Sequence, residues 1–512
     1  MTRQLYTCPA TLTVIALLLV GLARAATTIH VPADQPTIQA AISAAQNGDT
    51  ILVSPGTYAE NIDFIGKAIT VKSTNGEKVT IIDAHQVGPA ATFKSGEIRA
   101  SVLSGFTLTN GVGSGPPYFI YGGGVGIFYA SPTITHNTIT NNLDSGINSR
   151  FGSPVITYNL ITGNKSSMGG GIAIGGATVA SFPPVVSYNT ITNNSTYPYY
   201  FGAGISLFAA GKVIITNNQI TQNQAPYGYG GGVYIANEAD AIFVQNVIAR
   251  NTASTGGGVY LAVPVSSPGM LFVNNTIAFN DGIAGSGVWA GGFDSNDQFF
   301  NNVIVGNAGQ TAFHCDTLYS ATPPIVQSND AWASGGIGFE VSCGSGANGN
   351  VSRDPLFISP SKSNYRLQAG SPSIDMGKNA APSLPSKDLV GNPRIVNGNG
   401  GSTAIVDMGA YEFVPVNLTP KTLSFGTQLV GSTATKTVTL TNAQNKTLNI
   451  LSKSVPSGYK VSGCGTTVAA LSSCSLVVTF HPLTIGSFKG TLTIKDDAGN
   501  SPQTVNLSGS AL

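Results

Sequence analysis

The sequence predicts an all-β protein, a solenoid of stacked parallel β coils with a helical cap at its N-terminal end, followed by a β-sandwich. Three observations carry this. An Asn recurs at Asn137, Asn159, Asn189, Asn218, Asn246, Asn275 and Asn302, and a second follows each by five positions, from Asn142 to Asn307. The segments around these positions alternate β-branched residues, as in Thr138-Ile139-Thr140, which is the period of a strand and excludes a helical repeat. From Asn417 the texture changes to longer alternating strands without the repeat.

One copy of the repeat is one coil. Each begins with a Gly-rich strand such as Gly122-Gly123-Gly124-Val125-Gly126-Ile127, and the regular coils run over residues 122–307. Coils stacked as parallel strands, about 4.8 Å apart, pile equivalent residues into columns. A column of Asn amides then forms a hydrogen-bonded ladder. Asn also tolerates left-handed backbone, so the same residue is expected to turn the corner between two strands. Earlier strands are expected at Ile51–Val53, Ala68–Val71, Val79–Asp83 and Val102–Leu108, with Phe106 standing in the Asn column. Residues 36–46 form the helix, with Pro36 near its start and Asn47-Gly48 ending it; it caps the solenoid, whose end would otherwise expose core and unpaired strand edge.

These coils resemble the right-handed parallel β-helix of the pectin-lyase-like superfamily over roughly residues 27–413. The opening Ile29-His30-Val31-Pro32, Pro36-Thr37-Ile38-Gln39 and Asp49 to Tyr58 is similar to the start of its secreted members. The resemblance implies a right-handed β-helix over 26–413. It leaves activity open, since that superfamily includes lyases, hydrolases, tailspikes, adhesins and non-catalytic surface proteins. Within 354–413, the closing segment, the runs Asp388 to Arg394 and Asp407 to Glu412 resemble the closing signature of secreted β-helices. Arg394 beside Asp407 or Glu412 is expected to pin this tail through bidentate hydrogen bonds.

Residues 417–512 read as an immunoglobulin-like β-sandwich, with strands at Thr422–Phe425, Lys436–Leu440, Leu448–Leu451, Leu476–Phe480, Lys489–Ile494 and Thr504–Leu507. Leu423-Ser424-Phe425-Gly426 and Phe480-His481-Pro482 are similar to modules of the hydin and major-sperm-protein type, which bind or space and do not catalyse.

Residues 1–25 read as a secretory signal peptide, with Arg3, an apolar run from Leu12 to Ala23 and an Ala23-Arg24-Ala25 cleavage site. No transmembrane segment is expected after its removal, and the protein is placed outside the cell or on its surface. Among five cysteines, Cys8 lies in the signal peptide. Export and sequence proximity pair Cys315 with Cys343 and Cys464 with Cys474. Charged residues are 9% of the chain, against about 25% in ordinary globular proteins, and the net charge is +1. That balance argues against nucleic acid as a partner. Abundant neutral polar side chains point to a polysaccharide or cell-surface glycan.

Alternation along the Gly-rich strands sends one column of side chains outward: Gly126, Asn148, Ala173, Ser206, Tyr234, Tyr260, Trp289 and His314. In the pectin-lyase-like enzymes this sheet and its loops form the substrate cleft. Tyr234, Tyr260, Trp289 and His314 are the candidate glycan-binding residues, as an aromatic strip on which sugar rings stack. The cover for that strip, if it is not a glycan, is the 354–413 tail or the loop around Tyr227 and Tyr229. Further aromatics at Tyr118, Phe119 and Tyr121, at Tyr197, Tyr199, Tyr200 and Phe201, and at Tyr227 and Tyr229 form either a lid or a cleft wall.

No carboxylate stands in the outward column, which weighs against catalysis. The remaining catalytic candidates are loop acids, Glu238 and Asp240 in one coil and Asp294 and Asp297 two coils later. That places them about 9.6 Å apart along the axis, near the spacing of an inverting glycosidase pair. No cofactor is required and no cysteine or histidine metal site is expected, although Asp294-Ser295-Asn296-Asp297 carries oxygens that calcium would accept. Three functions follow: a non-catalytic glycan-binding or adhesive surface protein, a polysaccharide lyase or glycoside hydrolase, and a spacer acting through its sandwich.

Overall fold

The computed structural model describes residues 25–113, 122–176, 182–237, 239–262, 269–291, 294–316, 324–343 and 348–512. Residues 1–24 of the expected signal peptide, with Cys8, the residues Tyr118, Phe119 and Tyr121, and Glu238 lie outside these.

Each regular coil contributes one strand to each of three parallel sheets, in a fixed order. The coil at 233–255 shows the plan. Val233–Ala236 joins the first, Gly-rich sheet, Ala239–Val244 the second and Val247–Ala249 the third, and Thr252–Thr255 adds to a short fourth sheet before the next coil begins. The three main sheets hold eleven, twelve and eleven strands, and the fourth holds four.

Inside, like residues stack. Ile139, Ile161, Ile191, Ile220, Ile248, Ile277 and Ile304 form one fully buried column from the third sheet. Phe243, Phe272 and Phe299 form another, with ring centroids 4.6 and 4.9 Å apart. Each such side chain contributes about 1.5–3 kcal/mol on burial. The helix Ile38–Ala44 closes the N-terminal end, burying Ile38, Ala41 and Ile42, with Thr37 as N-cap accepting from the Ala40 N–H.

The Asn residues form the ladder at two corners of the coil. Asn246 donates from Nδ2 to Asn275 Oδ1 at 3.0 Å and to the Ile215 carbonyl at 2.9 Å, and its own Oδ1 accepts from the backbone N–H and Nδ2 of Asn218. The column begins at Phe106, whose N–H donates to Asn137 Oδ1, and runs through Asn302 to Asn329 and Asn350. Corner and rung fall on different residues, contrary to the single role expected for Asn. The positive φ belongs to the preceding residue, as at Tyr158, Gln245 and Asn274, while the Asn turns its side chain inward. The same corner at Gly105 divides the expected strand 102–108 into Val102–Ser104 and Thr107–Thr109.

The glycines answer to space. A Cβ on Gly232 would lie 2.6 Å from the Gly258 carbonyl oxygen, 2.8 Å from Ile248 Cγ2 and 2.9 Å from Asn251 Nδ2, so core and ladder leave room only for hydrogen. Gly230, two residues earlier, has φ +65°, and a Cβ there would run into the Val233 carbonyl oxygen and lie 2.9 Å from the Tyr234 Cα.

After the last coils the closing segment returns along the outer face of the third sheet. Phe357, Tyr365, Leu367, Ile374, Met408, Ala410 and Phe413 pack on Val247, Ala249, Ala278, Val303 and Val305. Polar contacts fix the register, with Asn274 Nδ2 donating to the Asp407 and Gly409 carbonyls and Arg250 donating to the Pro360 carbonyl at 2.6 Å. Arg394 is buried in this segment, but not as a bidentate pair. Its guanidinium stands 3.7 Å from one Glu412 oxygen and donates to the Gly409 carbonyl at 2.5 Å. The carboxylates are occupied by backbone N–H groups instead, Asp407 accepting from Asp375 and Phe413 and Glu412 from Val396 and Asp407. Burial pushes Asp407 up to about 8 and Glu412 up to about 10.

The C-terminal sandwich has sheets of four and five strands around a core that includes Leu418, Val438, Leu440, Leu476, Phe480, Leu492 and Val505. Its strands extend beyond those expected, for example Ala434–Asn442 and Gly486–Asp496, and three were not foreseen, Val416–Thr419, Tyr459–Gly463 and Thr467–Val468. His481 is tied into it by Nδ1 at 2.9 Å from the Ser432 carbonyl. The disulfides are Cys315–Cys343 at the last coils and Cys464–Cys474 in the sandwich.

Candidate functional site

Strand register places the outward column in one line on the first sheet. Gly126 pairs with Asn148, Asn148 with Ala173, Ala173 with Ser206, Ser206 with Tyr234, Tyr234 with Tyr260, Tyr260 with Trp289, and Trp289 with His314. The rings lie parallel. Tyr234 and Tyr260 are 5.5 Å apart at 11°, Tyr260 and Trp289 4.3 Å at 4°, and Trp289 and His314 6.1 Å at 17°.

That geometry changes what the strip can do. Rings stacked along the solenoid axis cover each other's faces, and a second row closes over them. Phe201 stacks on Tyr234 at 4.9 Å, Tyr229 on Tyr260 at 4.8 Å, and Phe201 on Tyr229 at 5.5 Å. Tyr234 is 9% exposed and Trp289 7%. The expected platform of open faces is therefore a packed stack, and its cover is the Phe201 and Tyr229 row. The closing segment packs elsewhere, on the third sheet and on Val244, Val273 and Phe300 of the second.

The open rings stand beside this stack. Tyr199 and Tyr227 project from adjacent strands of the fourth sheet, Ser195–Phe201 and Gln224–Tyr229, and stack on each other at 5.4 Å. They are 71% and 70% exposed, so each keeps one face free. Tyr200 is also exposed, and Lys165 Nζ lies 4.6 Å over the Tyr197 ring at the edge of the patch. The patch and the stack share their strands, since Phe201 and Tyr229 follow Tyr199 and Tyr227 by two residues.

Among the described loop acids, Asp240, Asp294 and Asp297 have distinct surroundings. Asp297 is buried and caps backbone, its Oδ1 accepting from Met270 N–H at 2.8 Å and its Oδ2 from Asp294 N–H at 3.1 Å; burial pushes its carboxyl up. Asp294 accepts from the Asn296 N–H in the same turn. Asp240 lies in the second sheet opposite Lys212, and burial raises it. Among the described residues no group of three or more His, Cys, Asp or Glu could hold a metal ion.

Comparison with known proteins places the scaffold. Residues 67–248 and 201–363 match the family described as right handed beta helix region, and together these cover more than half of the chain. The chain belongs to the right-handed β-helix family. Beyond the β-helix, residues 415–504 match the family described as Abnormal spindle-like microcephaly-assoc'd, ASPM-SPD-2-Hydin. Among solved structures, the ASH/PapD-like domain of human CEP192 (PapD-like domain 7) is 16% identical, over 19% of this chain and 85% of that one, with a TM-score of 0.16. The VesB protease of Vibrio cholerae is 15% identical over 23% of this chain and 42% of its own, at a TM-score of 0.18. The secreted serine protease VesC from Vibrio cholerae is 17% identical over 17% and 21%, at 0.15. This chain spans less than half the length of either protease. No curated protein matches it. No helix among the described residues is long and apolar enough to cross a membrane.

Two features of the β-helix surface were not read from the sequence. Glu340 Oε2 sits 2.8 Å from His314 Nδ1, beyond the end of the Trp289 stack. Nothing in the repeat announces Glu340, because it follows the last strand of the first sheet, Ile337–Phe339. The second is a ring stack on the ladder corner. His136, Tyr158 and Tyr188 each precede a ladder Asn and stack at 5.1 and 5.0 Å. Its signal was available, since the residue before each ladder Asn reads His, Tyr, Tyr, Asn, Gln, Asn, Asn along the chain.

Proposed function

We propose that this is an exported, non-catalytic glycan-binding protein whose β-helix holds a neutral polysaccharide against the Tyr199–Tyr227 patch. One observation carries the reading. Two tyrosines, each about 70% exposed, stack on one another on adjacent strands of the fourth sheet. Exposed aromatic surface paired in this way marks a site that something covers, and a pyranose matches it with an apolar face and hydroxyls for the phenol oxygens. The low charge of the surrounding chain fits a neutral ligand. The two disulfides support an oxidising destination. The C-terminal module serves in this reading as an anchor or spacer.

An enzymatic reading rests on His314 and Glu340, a hydrogen-bonded acid–base pair at the end of the outward column of the first sheet. One experiment addresses both. Purified protein is incubated with a panel of neutral and uronic polysaccharides, and retention is measured together with release of reducing and unsaturated ends. Retention of a neutral glycan without release supports binding. Release that disappears in Glu340→Gln establishes catalysis in its place, and neither retention nor release leaves the spacer reading.

A further inference from the structure

We infer that the groove between the closing segment and the second sheet is a separate saccharide site that takes a single neutral pyranose unit. The groove has a volume of about 440 Å³, within the range of small-ligand pockets. Its walls are of two kinds. Ile214, Ile242 and Val244 give an apolar floor from the second sheet, and Ser386 and Lys387 of the closing segment stand opposite.

Two observations point to a ligand there. The first is Tyr188, which forms one end of the groove and is 48% exposed. It is the last ring of the His136, Tyr158 and Tyr188 stack, so Tyr158 takes one face only. These three sit at φ of +54° to +56°, the left-handed corner that the following coils fill with Asn217, Asn274 and Asn301. Where the closing segment covers the corner, the side chains are amides bonded to it, as Asn274 and Asn301 are to Asp407, Gly409 and Lys378. Where it leaves the corner open, they are rings.

The second is Gln245, at the boundary between those two regimes. It is 4% exposed and lines the groove; its Nε2 donates to Asn217 Oδ1 at 2.7 Å, and its Oε1 has no hydrogen-bond partner among the described residues. A buried amide oxygen without a donor is costly to leave so, and a hydroxyl donor satisfies it. A pyranose supplies all three complements at once, an apolar face for Tyr188 and the aliphatic floor, a donor for Gln245, and acceptor oxygens for Lys387. The ligand class follows the proposed function, but the site does not use the Tyr199–Tyr227 patch, which lies on another sheet.

The test is saturation-transfer NMR of the full chain with methyl α- and β-pyranosides of glucose, galactose, mannose and xylose, followed by titration of whichever binds. At least one is expected to bind. Tyr188→Ala is expected to weaken it about tenfold, the equivalent of one stacked ring. Lys387→Ala, on the exposed wall, should weaken it by a smaller factor and serves if Tyr188→Ala proves poorly folded. Tyr199→Ala with Tyr227→Ala should leave this binding unchanged while abolishing polysaccharide retention, which separates the two sites. Absence of binding by every pyranoside, or affinity unchanged in both Tyr188→Ala and Lys387→Ala, overturns the inference whatever becomes of polysaccharide retention.

Discussion

Removal of one rung from the Asn ladder is expected to cost more than removal of a comparable side chain a few residues away. In Asn246→Ala, the buried backbone N–H of Asn218 loses its acceptor, and the Ile215 carbonyl loses one of its two donors, the one that reached it at 2.9 Å. Asn218 Nδ2 keeps its second acceptor, the Val186 carbonyl, and the Asn246 N–H keeps Asn275 Oδ1. Only the Asn218 N–H is left without an acceptor, since the Ile215 carbonyl also belongs to the parallel ladder with the 239–244 strand, and the loss is about 1–3 kcal/mol. Thr252→Ala, an exposed side chain of the same coil, should change stability by about 0.5 kcal/mol or less. Both tryptophans, Trp289 and Trp332, lie in the β-helix, so guanidinium unfolding followed by tryptophan fluorescence reports on the solenoid and not on the sandwich. Unfolding free energies for the two variants that agree within about 0.5 kcal/mol would refute the ladder as a source of stability.

Further outcomes follow from the same geometry. Gly232→Ala, whose Cβ meets three atoms at 2.9 Å or less, should destabilise the β-helix by about 1–3 kcal/mol in that fluorescence assay, with no change if the coil simply relaxes. Asp330 is buried and accepts from Ser373 Oγ at 2.6 Å, and burial pushes its carboxyl up to about 6 from an unfolded value of 3.8. The folded state therefore holds this proton more tightly, so its contribution is present at low pH and is lost as pH rises from about 4 to about 6, by at most about 3 kcal/mol. Comparing wild type with Asp330→Asn across that window by urea unfolding checks the sign, since the variant should lose that rise toward acid. Replacing Cys464 and Cys474 together by Ser should lower the stability of the sandwich by about 3 kcal/mol, measured by calorimetry of its own transition.

The solenoid was legible because its constraints are local and repeated. The outward column could be written from Gly126 to His314 because Val125 and Ile127 must point inward, and strand alternation then leaves no freedom. Ring orientation was not legible in the same way. Alternation says that Tyr234 leaves the core but not that its face turns along the axis onto Tyr260, which depends on Phe201 and Tyr229 arriving from another sheet. The corner was displaced by one residue for a related reason. Asn suits both a ladder and a left-handed backbone, and in the fold Gln245 takes the left-handed backbone while Asn246 makes the hydrogen bonds. Asp297 looked like a solvated loop acid because its partner, the Met270 N–H, is a full coil away. Glu340 was invisible because its meaning is a distance to His314 and not a motif.

The most direct measurement for glycan binding is titration of a retained neutral polysaccharide against wild type, Tyr199→Ala with Tyr227→Ala, and Trp289→Ala. The first pair of rings is exposed and should be removable without unfolding, with loss of at least about tenfold in affinity, whereas Trp289 is packed within the stack and should affect stability first. Undiminished affinity in a well-folded Tyr199→Ala, Tyr227→Ala protein would contradict the proposed function.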